Sequence, residues 1–497
     1  MITPLKITNK IIYILLFFIA VFYLLFPTNN SSLDAYSYAA DIKYGENLFE
    51  PHHLLYNWFQ FFIYKVFSVF TKIVDLFLLT KAVNSLFVIF NLIIFSKILE
   101  HLFISKKEIF ILLIIIAFSH SSLRYGTENE TYIIPITFSL LGSYYFLKHL
   151  RLKKVTYLFL SGFFASLACL FHQIHFFWWL GLLIGIILYA KHFKNILFYS
   201  APVIIVPIVY MLILFFYNQQ DISLNNILHF IFHDYFSGSA RSEFGLMNFI
   251  FIIISSLRTF IQIHPNIIFL IKYNVLFIIP LLILLILFYK ILKVLIEKHL
   301  LSKRKNLNAS FANTHLLILI LHLVFSFYAV GNVEFLVMTP FLIFLSVFYI
   351  YKVDYKVLVW TSVTFFIWNF SFGLYPNNRF NYYNDEVLIN FMKDHPNKIF
   401  IVKNQSVLSE YHYKMGKMPK THIFYSSDVD IEYVNKILEQ KGQSYFYTDI
   451  IDKPEILNRA KLLEDNNLDL SEFKKVKIKN YSGLYGTSTI YKVYLDN

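Results

Sequence analysis

The chain of 497 residues is 57% hydrophobic and 20% aromatic, and only 15% of its residues are charged. With a mean hydropathy of +0.56, this composition excludes an ordinary soluble globular protein, in which about 45–50% of residues are apolar. The single cysteine, Cys169, excludes a disulfide framework and a cysteine-ligated metal cluster. Apolar runs such as 11–26, 109–118 and 275–288 predict membrane spans.

The formal net charge of +13 is unevenly distributed along the chain. Residues 376–497 include 17 basic and 16 acidic side chains, whereas the first 375 residues include 27 and 15. The excess therefore lies in the membrane part, where it collects in short loops between apolar runs. The basic clusters are Lys6 and Lys10; Lys97, Lys106 and Lys107; Lys148, Arg151, Lys153 and Lys154; Lys191 and Lys194; 290–305; and Lys352 and Lys356. This pattern is typical of cytoplasmic loops and does not indicate nucleic-acid binding.

The first apolar run, 11–26, follows two lysines and lacks a small-residue cleavage site, so we interpret it as a retained span with a cytoplasmic N-terminus. The next run, 55–72, is ambiguous because Asn57, Gln60 and Lys65 interrupt it. If this run were a span, the loops that follow it would lie on the opposite sides of the membrane. As an interfacial amphipathic helix it keeps every basic cluster inside. The run 246–264 presents the same choice, and we interpret both as interfacial or re-entrant.

The resulting topology is a helical polytopic membrane bundle with about eleven spans. The spans are expected near 11–27, 76–97, 108–124, 131–148, 155–171, 174–191, 195–217, 273–296, 313–330, 334–351 and 355–374. A turn-rich junction at 375–378 then leads into an extracytoplasmic domain, 376–497. Strands at 398–402 and 445–448 alternate there with helices at 431–440 and 455–463, which predicts a small α/β domain. Its default role is docking or acceptor recognition.

In this topology the outer face gathers a set of acids, histidines and other polar side chains. They are Asp34, Asp41, Glu50, His52 and His53; Arg124, Glu128 and Glu130; His172, Gln173 and His175; His229, His233, Asp234, Arg241, Glu243, Arg258 and His264; and Glu334. Acids and histidines at a membrane boundary are energetically expensive and often functional. A substrate linked to a lipid phosphate needs cations, an apolar groove and a carboxylate that accepts a proton, and the outer face offers all three.

Each of these residues also has an ordinary structural interpretation. Asp34 fits a helix cap, and Glu128 and Glu130 fit solvated loop acids. Arg241 and Arg258 fit side chains that face lipid headgroups. Two further interpretations concern His175, which fits a hydrogen-bonded interfacial histidine, and Glu334, which fits a carboxylate at a helix N-terminus. The hypothesis of a site therefore depends on the whole set of residues.

Several of these segments resemble motifs of glycosyltransferases with the GT-C fold, among which protein mannosyltransferase-like and aminoarabinose transferase-like members are most similar. Leu33-Asp34-Ala35-Tyr36 and Pro51-His52-His53 resemble the first extracytoplasmic loop of that superfamily. The segment 126–132, with Glu128 and Glu130, resembles its second acidic motif. Phe171-His172-Gln173 is similar to a His-Gln turn of some branches, and 332–340 resembles a late polar span that ends in proline. The resemblance covers residues 1–375.

The resemblance implies transfer of a sugar from a polyprenyl-phosphate donor to an acceptor outside a bacterial cytoplasmic membrane, with inversion at the anomeric carbon. Asp34 is then the candidate base, and Glu128 or Glu130 orients the acceptor or a divalent metal. The groups implied to bind the donor or its phosphate are His52, His53, His172, Gln173, Arg241, Arg258 and Glu334. The sequence departs from the family in having Glu-Asn-Glu at 128–130 in place of an Asp-Glu pair, so a metal requirement stays open.

A polysaccharide polymerase, a ligase, a flippase or a transporter is the alternative class. A transporter would place charged residues near the middle of its spans and show two similar halves. Here the polar residues lie mainly at outer ends, and no repeat of one half in the other is visible. A polymerase or ligase shares the many spans, the long outer loop and the lipid-linked substrate. An acidic loop directly after the first span, which a ligase does not need, favours the transferase.

Overall fold

The computed structural model describes residues 7–71, 73–237, 245–263, 266–297, 301–304, 307–416, 422–452 and 468–494. Arg241 and the helix predicted at 455–463 lie outside these residues. The chain divides into two compact units. The first, the bundle unit, consists of Met1–Pro27, Asn47–Ile263 and Ile278–Leu374, and the second, the sheet unit, consists of Thr28–Glu46, His264–Phe277 and Tyr375–Asn497.

Helices make up most of the bundle unit and also occur, beside strands, in the sheet unit. In chain order they are α1 (Asn9–Leu25), α2 (Leu33–Tyr44), α3 (Tyr56–Phe70), α4 (Leu76–His101), α5 (Lys106–Ala117), α6 (His120–Gly126), α7 (Ile133–Leu152), α8 (Val155–Phe171), α9 (Phe176–Tyr189), α10 (Phe193–Ser200), α11 (Ile205–Phe216), α12 (Leu224–Ile231), α13 (His233–Phe236), α14 (Leu246–Arg258), α15 (Asn266–Tyr273), α16 (Ile278–Glu297), α17 (Ala309–Tyr328), α18 (Thr339–Leu345), α19 (Val347–Ile350), α20 (Tyr355–Asn369), α21 (Tyr375–Arg379), α22 (Glu386–Asp394), α23 (Ser406–Met415) and α24 (Ile431–Gln440). Of these, α2, α15 and α21 to α24 belong to the sheet unit.

Six segments of the described chain are long and apolar enough to cross a membrane, and a seventh results if the bent pair α5 and α6 counts as one span. The six are Leu76–His101, Phe193–Phe216, Val275–Glu297, Ala309–Tyr328, Val333–Ile350 and Tyr355–Arg379. The predicted number of eleven is therefore not confirmed. Several other predicted spans are shorter apolar helices. For example, α1 and α8 have 17 residues each, or about 25 Å at 1.5 Å per residue, against a hydrocarbon core of about 30 Å.

The two segments interpreted as interfacial do contain short helices, and both have reversed amphipathicity. In α3, Tyr56, Asn57 and Gln60 are buried while the exposed side chains are mainly apolar. In α14, Asn248 and Ser255 are buried. The exposed apolar side chains of the two helices include Trp58, Phe62, Phe67, Phe70, Leu246, Phe249, Ile253 and Leu257. A helix of a soluble protein shows the opposite pattern, so these faces fit contact with lipid.

The strands form two sheets. In the bundle unit, β1 (Leu301–Lys303) pairs antiparallel with β2 (Tyr351–Val353). The sheet unit contains β3 (Phe400–Val402), β4 (Ile423–Tyr425), β5 (Tyr445–Thr448), β6 (Lys474–Gly483) and β7 (Gly486–Tyr494) in the order β4-β3-β5-β7-β6. The first three are parallel, and β7 is antiparallel to both neighbours. This mixed sheet with helices confirms the predicted sheet region near the C-terminus.

The sheet unit also includes two segments that precede position 375. Residues 28–46, which contain Asp34, and residues 264–277 cluster with the C-terminal domain. A backbone hydrogen bond from Asn29 N to Asn377 O, at 3.0 Å, joins the first of them to the start of that domain. Asn266, which lies in the second segment, accepts a hydrogen bond at its Oδ1 from Tyr485 Oη of the C-terminal domain. The sheet unit is therefore assembled from three stretches of chain.

Candidate functional site

The acidic loop between α6 and α7 is buried in the bundle unit. Its side chains from Thr127 to Thr131, including Glu128 and Glu130, are at most 2% exposed, so neither glutamate is a solvated loop acid. Asn84 of α4 holds the loop, because its Nδ2 donates to the carbonyl oxygens of Glu128, at 2.7 Å, and Glu130, at 2.8 Å. A loop whose backbone is fixed in this way presents its carboxylates in a defined geometry.

Glu128 lies between two cations. Its Oε1 is 3.4 Å from Lys81 Nζ and its Oε2 is 3.0 Å from Arg124 Nη1. The backbone N–H of Asn129 also donates to Oε1, at 2.9 Å. Lys81 and Glu128 are both almost fully buried, and a buried carboxylate of this kind is stable only when it is paired and hydrogen-bonded. Glu128 thus anchors a charged network inside the bundle unit.

Helix α3 supplies a tyrosine to this network. Tyr56 Oη donates to Asn129 Oδ1 at 2.9 Å, and it accepts a hydrogen bond from Asn84 Nδ2 at 3.1 Å. Gln60, one turn further along α3, donates to the same hydroxyl at 3.4 Å. The buried face of α3 is therefore polar because it binds the acidic loop, while its opposite face stays apolar.

Tyr132, the last residue of the loop, joins the acidic segment to two other parts of the bundle unit. Its hydroxyl donates to Glu334 Oε2 at 3.1 Å. Its ring lies 5.0 Å from the His172 ring and 5.4 Å from the Tyr125 ring, measured between centroids. Glu334 is further held by Asn332, whose Nδ2 donates to the same Oε2 at 3.3 Å. The predicted residues Glu334 and His172 are thus brought together through a tyrosine.

Arg258 ends α14 and lies in the same neighbourhood. Arg258, Arg124, Glu130 and Glu334 are all close enough to act electrostatically on the Tyr125 hydroxyl. The Nε atom of Arg258 is buried and has no hydrogen-bond partner among the described residues. The structure therefore assembles Glu128, Glu130, Arg258 and Glu334 around two tyrosines. We call this set, with Lys81, Arg124, Tyr125 and Tyr132, the charged cluster.

Three histidines lie beside the charged cluster. The His52 ring is 4.3 Å from that of His53 and 6.4 Å from that of His172, between centroids. Burial, together with the nearby His52, lowers the pKa of His172 to about 3. Burial also holds the pKa of His53 well below its usual value. Both imidazoles are thus neutral at pH 7, and they offer hydrogen bonds rather than positive charge to a substrate.

Gln173 forms hydrogen bonds to three other segments of the bundle unit. Its Nε2 lies 2.9 Å from Pro51 O, 2.9 Å from Tyr210 Oη and 3.0 Å from Ile231 O. These contacts join Gln173 to the turn at Pro51–His53, to α11 and to α12. Nearby, His175 is buried and its Nδ1 is 2.7 Å from Ser139 Oγ, which agrees with a hydrogen-bonded histidine on one side of the ring. Gln173 therefore supports the turn that carries His52 and His53.

Asp34 belongs to the sheet unit, where it lies exposed in the first turn of α2. The helix cap is Ser32, whose Oγ accepts a hydrogen bond from Ala35 N at 3.0 Å. The capping interpretation of Asp34 is therefore wrong, since the serine two positions earlier fills that position. Asp41, on the same helix, is 4% exposed. Asp34 is the acid of α2 that a substrate in solvent can reach.

The residues described contain no group of three or more His, Cys, Asp or Glu side chains arranged to hold a metal ion. A divalent metal, left open by the sequence, stays untested as an expectation. Sequence reasoning missed Lys81, Tyr56, Tyr125 and Tyr132. Lys81 had a usable signal, since a lone lysine within an apolar run marks a functional site by default, whereas the tyrosines are inconspicuous in a chain that has 36 of them.

The charged cluster predicts a strong effect of Glu128→Gln on stability. Without the carboxylate, Lys81 and Arg124 are left as uncompensated neighbouring cations, and such a loss costs about 3–5 kcal/mol. We expect a large fall in the melting temperature of the purified protein, with partial recovery in the double variant Glu128→Gln/Lys81→Met. As a control, Glu297→Gln breaks an exposed pair with Lys293 and should change stability by less than about 1 kcal/mol. Equal effects of both substitutions would contradict the pairing.

The sheet unit has a separate polar cluster at the carboxyl ends of β3 and β5. Asn404 Nδ2 donates to Asp385 Oδ2 at 2.8 Å, and Asp449 accepts hydrogen bonds from Lys403 N and Tyr481 Oη. Burial, together with the nearby carboxylate of Asp449, raises the pKa of Asp385 to about 7. The folded unit therefore binds a proton at Asp385 more tightly than the unfolded chain does.

This proton makes the stability of the sheet unit depend on pH. Because the folded pKa of Asp385 lies above its unfolded value, its stabilising contribution is complete below about pH 4 and is lost as the pH rises to about 7. We expect Asp385→Asn, which resembles the protonated acid, to melt at a higher temperature than the wild type at pH 8 but not at pH 5. Parallel melting curves for the two proteins at both pH values would contradict this.

No family model matches the chain, and no curated protein matches it. Among solved structures, the chain is similar to an oligosaccharyltransferase from Archaeoglobus fulgidus, crystallised with zinc and sulfate. The likeness has a TM-score of 0.39 and 11% sequence identity, and it covers 88% of this chain and 68% of that one. A similarity of this extent assigns no activity, so the function is inferred from the residues of the chain itself.

Proposed function

We propose that the protein is a membrane glycosyltransferase that moves a sugar from a polyprenyl-phosphate donor to an extracytoplasmic acceptor, with inversion at the anomeric carbon. One observation carries the proposal. Two helices whose exposed faces are apolar, α3 and α14, bring polar residues to the charged cluster, namely Tyr56 and Arg258. A substrate with an apolar tail and an ionic head fits this arrangement, since its tail can follow the apolar faces to the cluster.

Arg258 is the proposed contact of the donor phosphate. Its buried Nε has no partner among the described residues, and a buried donor of this kind is stabilised when a ligand accepts its hydrogen bond. Guanidinium groups bind phosphate oxygens in a fixed planar geometry. The neutral imidazoles of His172 and His53 add hydrogen bonds beside it. Arg241, outside the described residues, keeps its predicted role as a second cation.

Unlike Arg258, Lys81 and Arg124 are not proposed to contact the donor phosphate, because both already pair with Glu128. Their role in this proposal is to fix the acidic loop and Tyr132. Glu130 and Glu334 are then the carboxylates next to the donor, where they orient hydroxyl groups of the sugar or the acceptor. Carboxylates accept hydrogen bonds from such hydroxyls.

In the proposed reaction the acceptor hydroxyl oxygen attacks the anomeric carbon of the donor sugar. The bond from that carbon to the phosphate oxygen breaks, and polyprenyl phosphate leaves with the electron pair. Asp34 takes the proton of the acceptor hydroxyl as general base. Attack from the face opposite the phosphate inverts the anomeric centre. A carboxylate exposed in the first turn of α2 suits this step because an acceptor in solvent can reach it.

Purified full-length protein in lipid nanodiscs tests the reaction. It is incubated with radiolabelled polyprenyl-phosphate hexoses and pentoses and, separately, with a polyprenyl-diphosphate oligosaccharide, together with membrane extract as a source of acceptors. We expect sugar transfer and release of polyprenyl phosphate from the first class only. Transfer from the diphosphate alone would establish a polymerase or ligase and contradict the proposal.

The proposal also places the protein in a bacterial cytoplasmic membrane, with its N-terminus inside and the sheet unit outside. The basic loops support this orientation. Cys169 is buried, so single cysteines introduced elsewhere can be labelled selectively. Labelling of a cysteine at Lys303 from outside intact cells, or protection of one at Asn397 from an external reagent, would contradict the orientation.

A further inference from the structure

The first outer segment of the chain, which carries Asp34, is held along its length by residues of the C-terminal domain in the sheet unit. Asn30 Nδ2 donates to Asn377 O at 2.9 Å and to Phe380 O at 2.7 Å. The backbone N–H of Tyr382 donates to Asn30 Oδ1 at 2.8 Å. These contacts fix the chain four residues before Asp34.

The other end of α2 is held more strongly. Lys43 Nζ and Tyr44 Oη both donate to the carbonyl oxygen of Tyr413, at 2.8 and 2.9 Å. Helix α23 ends at Met415, so this carbonyl is among the last four of the helix, which find no partner within it. A cation at a helix C-terminus is also favoured by the helix dipole. The side chains of α2 thus complete the hydrogen bonding of α23.

Ring contacts extend this attachment. The Tyr44 ring stacks on the His412 ring with 5.7 Å between centroids, and Lys43 Nζ lies 4.6 Å from the centroid of the Tyr413 ring. Tyr36, two residues after Asp34, lies 6.4 Å from the Tyr413 ring. A Cβ at Gly416 would come within 3.3 Å of the Tyr44 ring, so the end of α23 is shaped closely to α2.

We infer that Lys43 and Tyr44 are positioning residues, which hold α2 on α23 and thereby keep Asp34 in the orientation that the transfer reaction needs. The inference rests on the proposed function, because it assumes that Asp34 acts as the base. It gives the C-terminal domain a part in the chemistry that differs from acceptor docking. A general base displaced by about 1 Å can lose about 100-fold in rate, so a helix that carries one requires a firm support.

The test compares the double variant Lys43→Met/Tyr44→Phe with the wild type, both as full-length protein in nanodiscs. Hydrogen exchange of residues 33–44 is expected to accelerate at least about tenfold, because opening of α2 becomes easier. Turnover with a polyprenyl-phosphate sugar is expected to fall about 10- to 100-fold while the KM for that donor stays unchanged. Lys436→Met, an exposed lysine of α24, is the matched control and should change neither quantity. Lys43→Arg should retain most of the activity.

Unchanged exchange of α2 in the double variant would overturn the inference whatever the donor assay shows. Accelerated exchange with unchanged turnover would overturn it as well, since α2 would then be free to move without consequence. Failure of the proposed function has a different signature, which is absence of turnover in the wild type itself. In that case accelerated exchange in the variant would still support the holding contacts.

Discussion

Replacement of Asp34 by asparagine is expected to lower the turnover of a polyprenyl-phosphate sugar about 100- to 10,000-fold, which is the usual contribution of a positioned general base. The amide is almost the same size as the carboxylate but cannot accept the proton of the acceptor hydroxyl. Because Asp34 is exposed in the first turn of α2, the substitution should leave folding intact. Initial rates at saturating donor, with the melting temperature measured in parallel, provide the test.

Two variants control for indirect effects of this substitution. Asp221→Asn changes an exposed acid of the bundle unit and should keep the full rate. Asp34→Glu retains a carboxylate at a shifted position and should recover part of the activity. Full activity of Asp34→Asn in a protein that melts normally would show that Asp34 is not the base, and the other acid of α2, Asp41, would become the next candidate.

Replacement of Arg258 by alanine is expected to weaken binding of undecaprenyl phosphate about 10- to 100-fold. A hydrogen bond to a charged group contributes about 1.5–3 kcal/mol, and each 1.4 kcal/mol is about a factor of ten in affinity. Undecaprenyl phosphate is the proposed product whatever the sugar, so it serves as the probe. Its dissociation constant is measured by the thermal shift of the purified protein over a range of lipid concentrations.

Arg258→Lys should recover part of the affinity, since lysine keeps the charge and loses the planar pair of donors. Lys65→Met removes an exposed cation from the lipid-facing helix α3 and should leave the dissociation constant unchanged. If Lys65→Met weakens binding as much as Arg258→Ala does, the lipid phosphate is attracted by general surface charge and Arg258 does not form its site.

Local periodicity correctly predicted those helices and strands of the sheet unit that bury one face. The helix predicted at 431–440 is α24, and the strands predicted at 398–402 and 445–448 contain β3 and β5. The hairpin of β6 and β7 was missed. Strand β6 forms an edge of the sheet, and nearly all of its residues from Lys474 are exposed, although lysines alternate with Val476 and Ile478 in its sequence. Its structure comes from pairing with β7, which a single segment does not reveal.

The predicted span number of eleven is not confirmed, because hydropathy does not distinguish a short buried helix from one that crosses the bilayer. The runs predicted as spans at 11–27 and 155–171 are apolar, but they form helices of 17 residues. The reversed amphipathicity of α3 and α14 was easier to predict. Asn57 and Gln60, three positions apart, interrupt the apolar run of α3 on one face, and Ser255 interrupts that of α14. The length of the helix that such a run forms, and the residues that pack against it, decide whether it crosses the bilayer.

The sequence by itself determined that this is a mostly helical chain of membrane-type composition with a small sheet region near its C-terminus, and that its excess positive charge lies in the loops of the helical part. These properties are sums over many residues and need no knowledge of contacts. Only the tertiary structure decided that Glu128 is buried against Lys81, that Tyr132 reaches Glu334 across 202 positions, and that Asp34 belongs to the sheet unit. Burial and pairing set the charge state and the reach of each acid, and both depend on residues that are far apart in the chain.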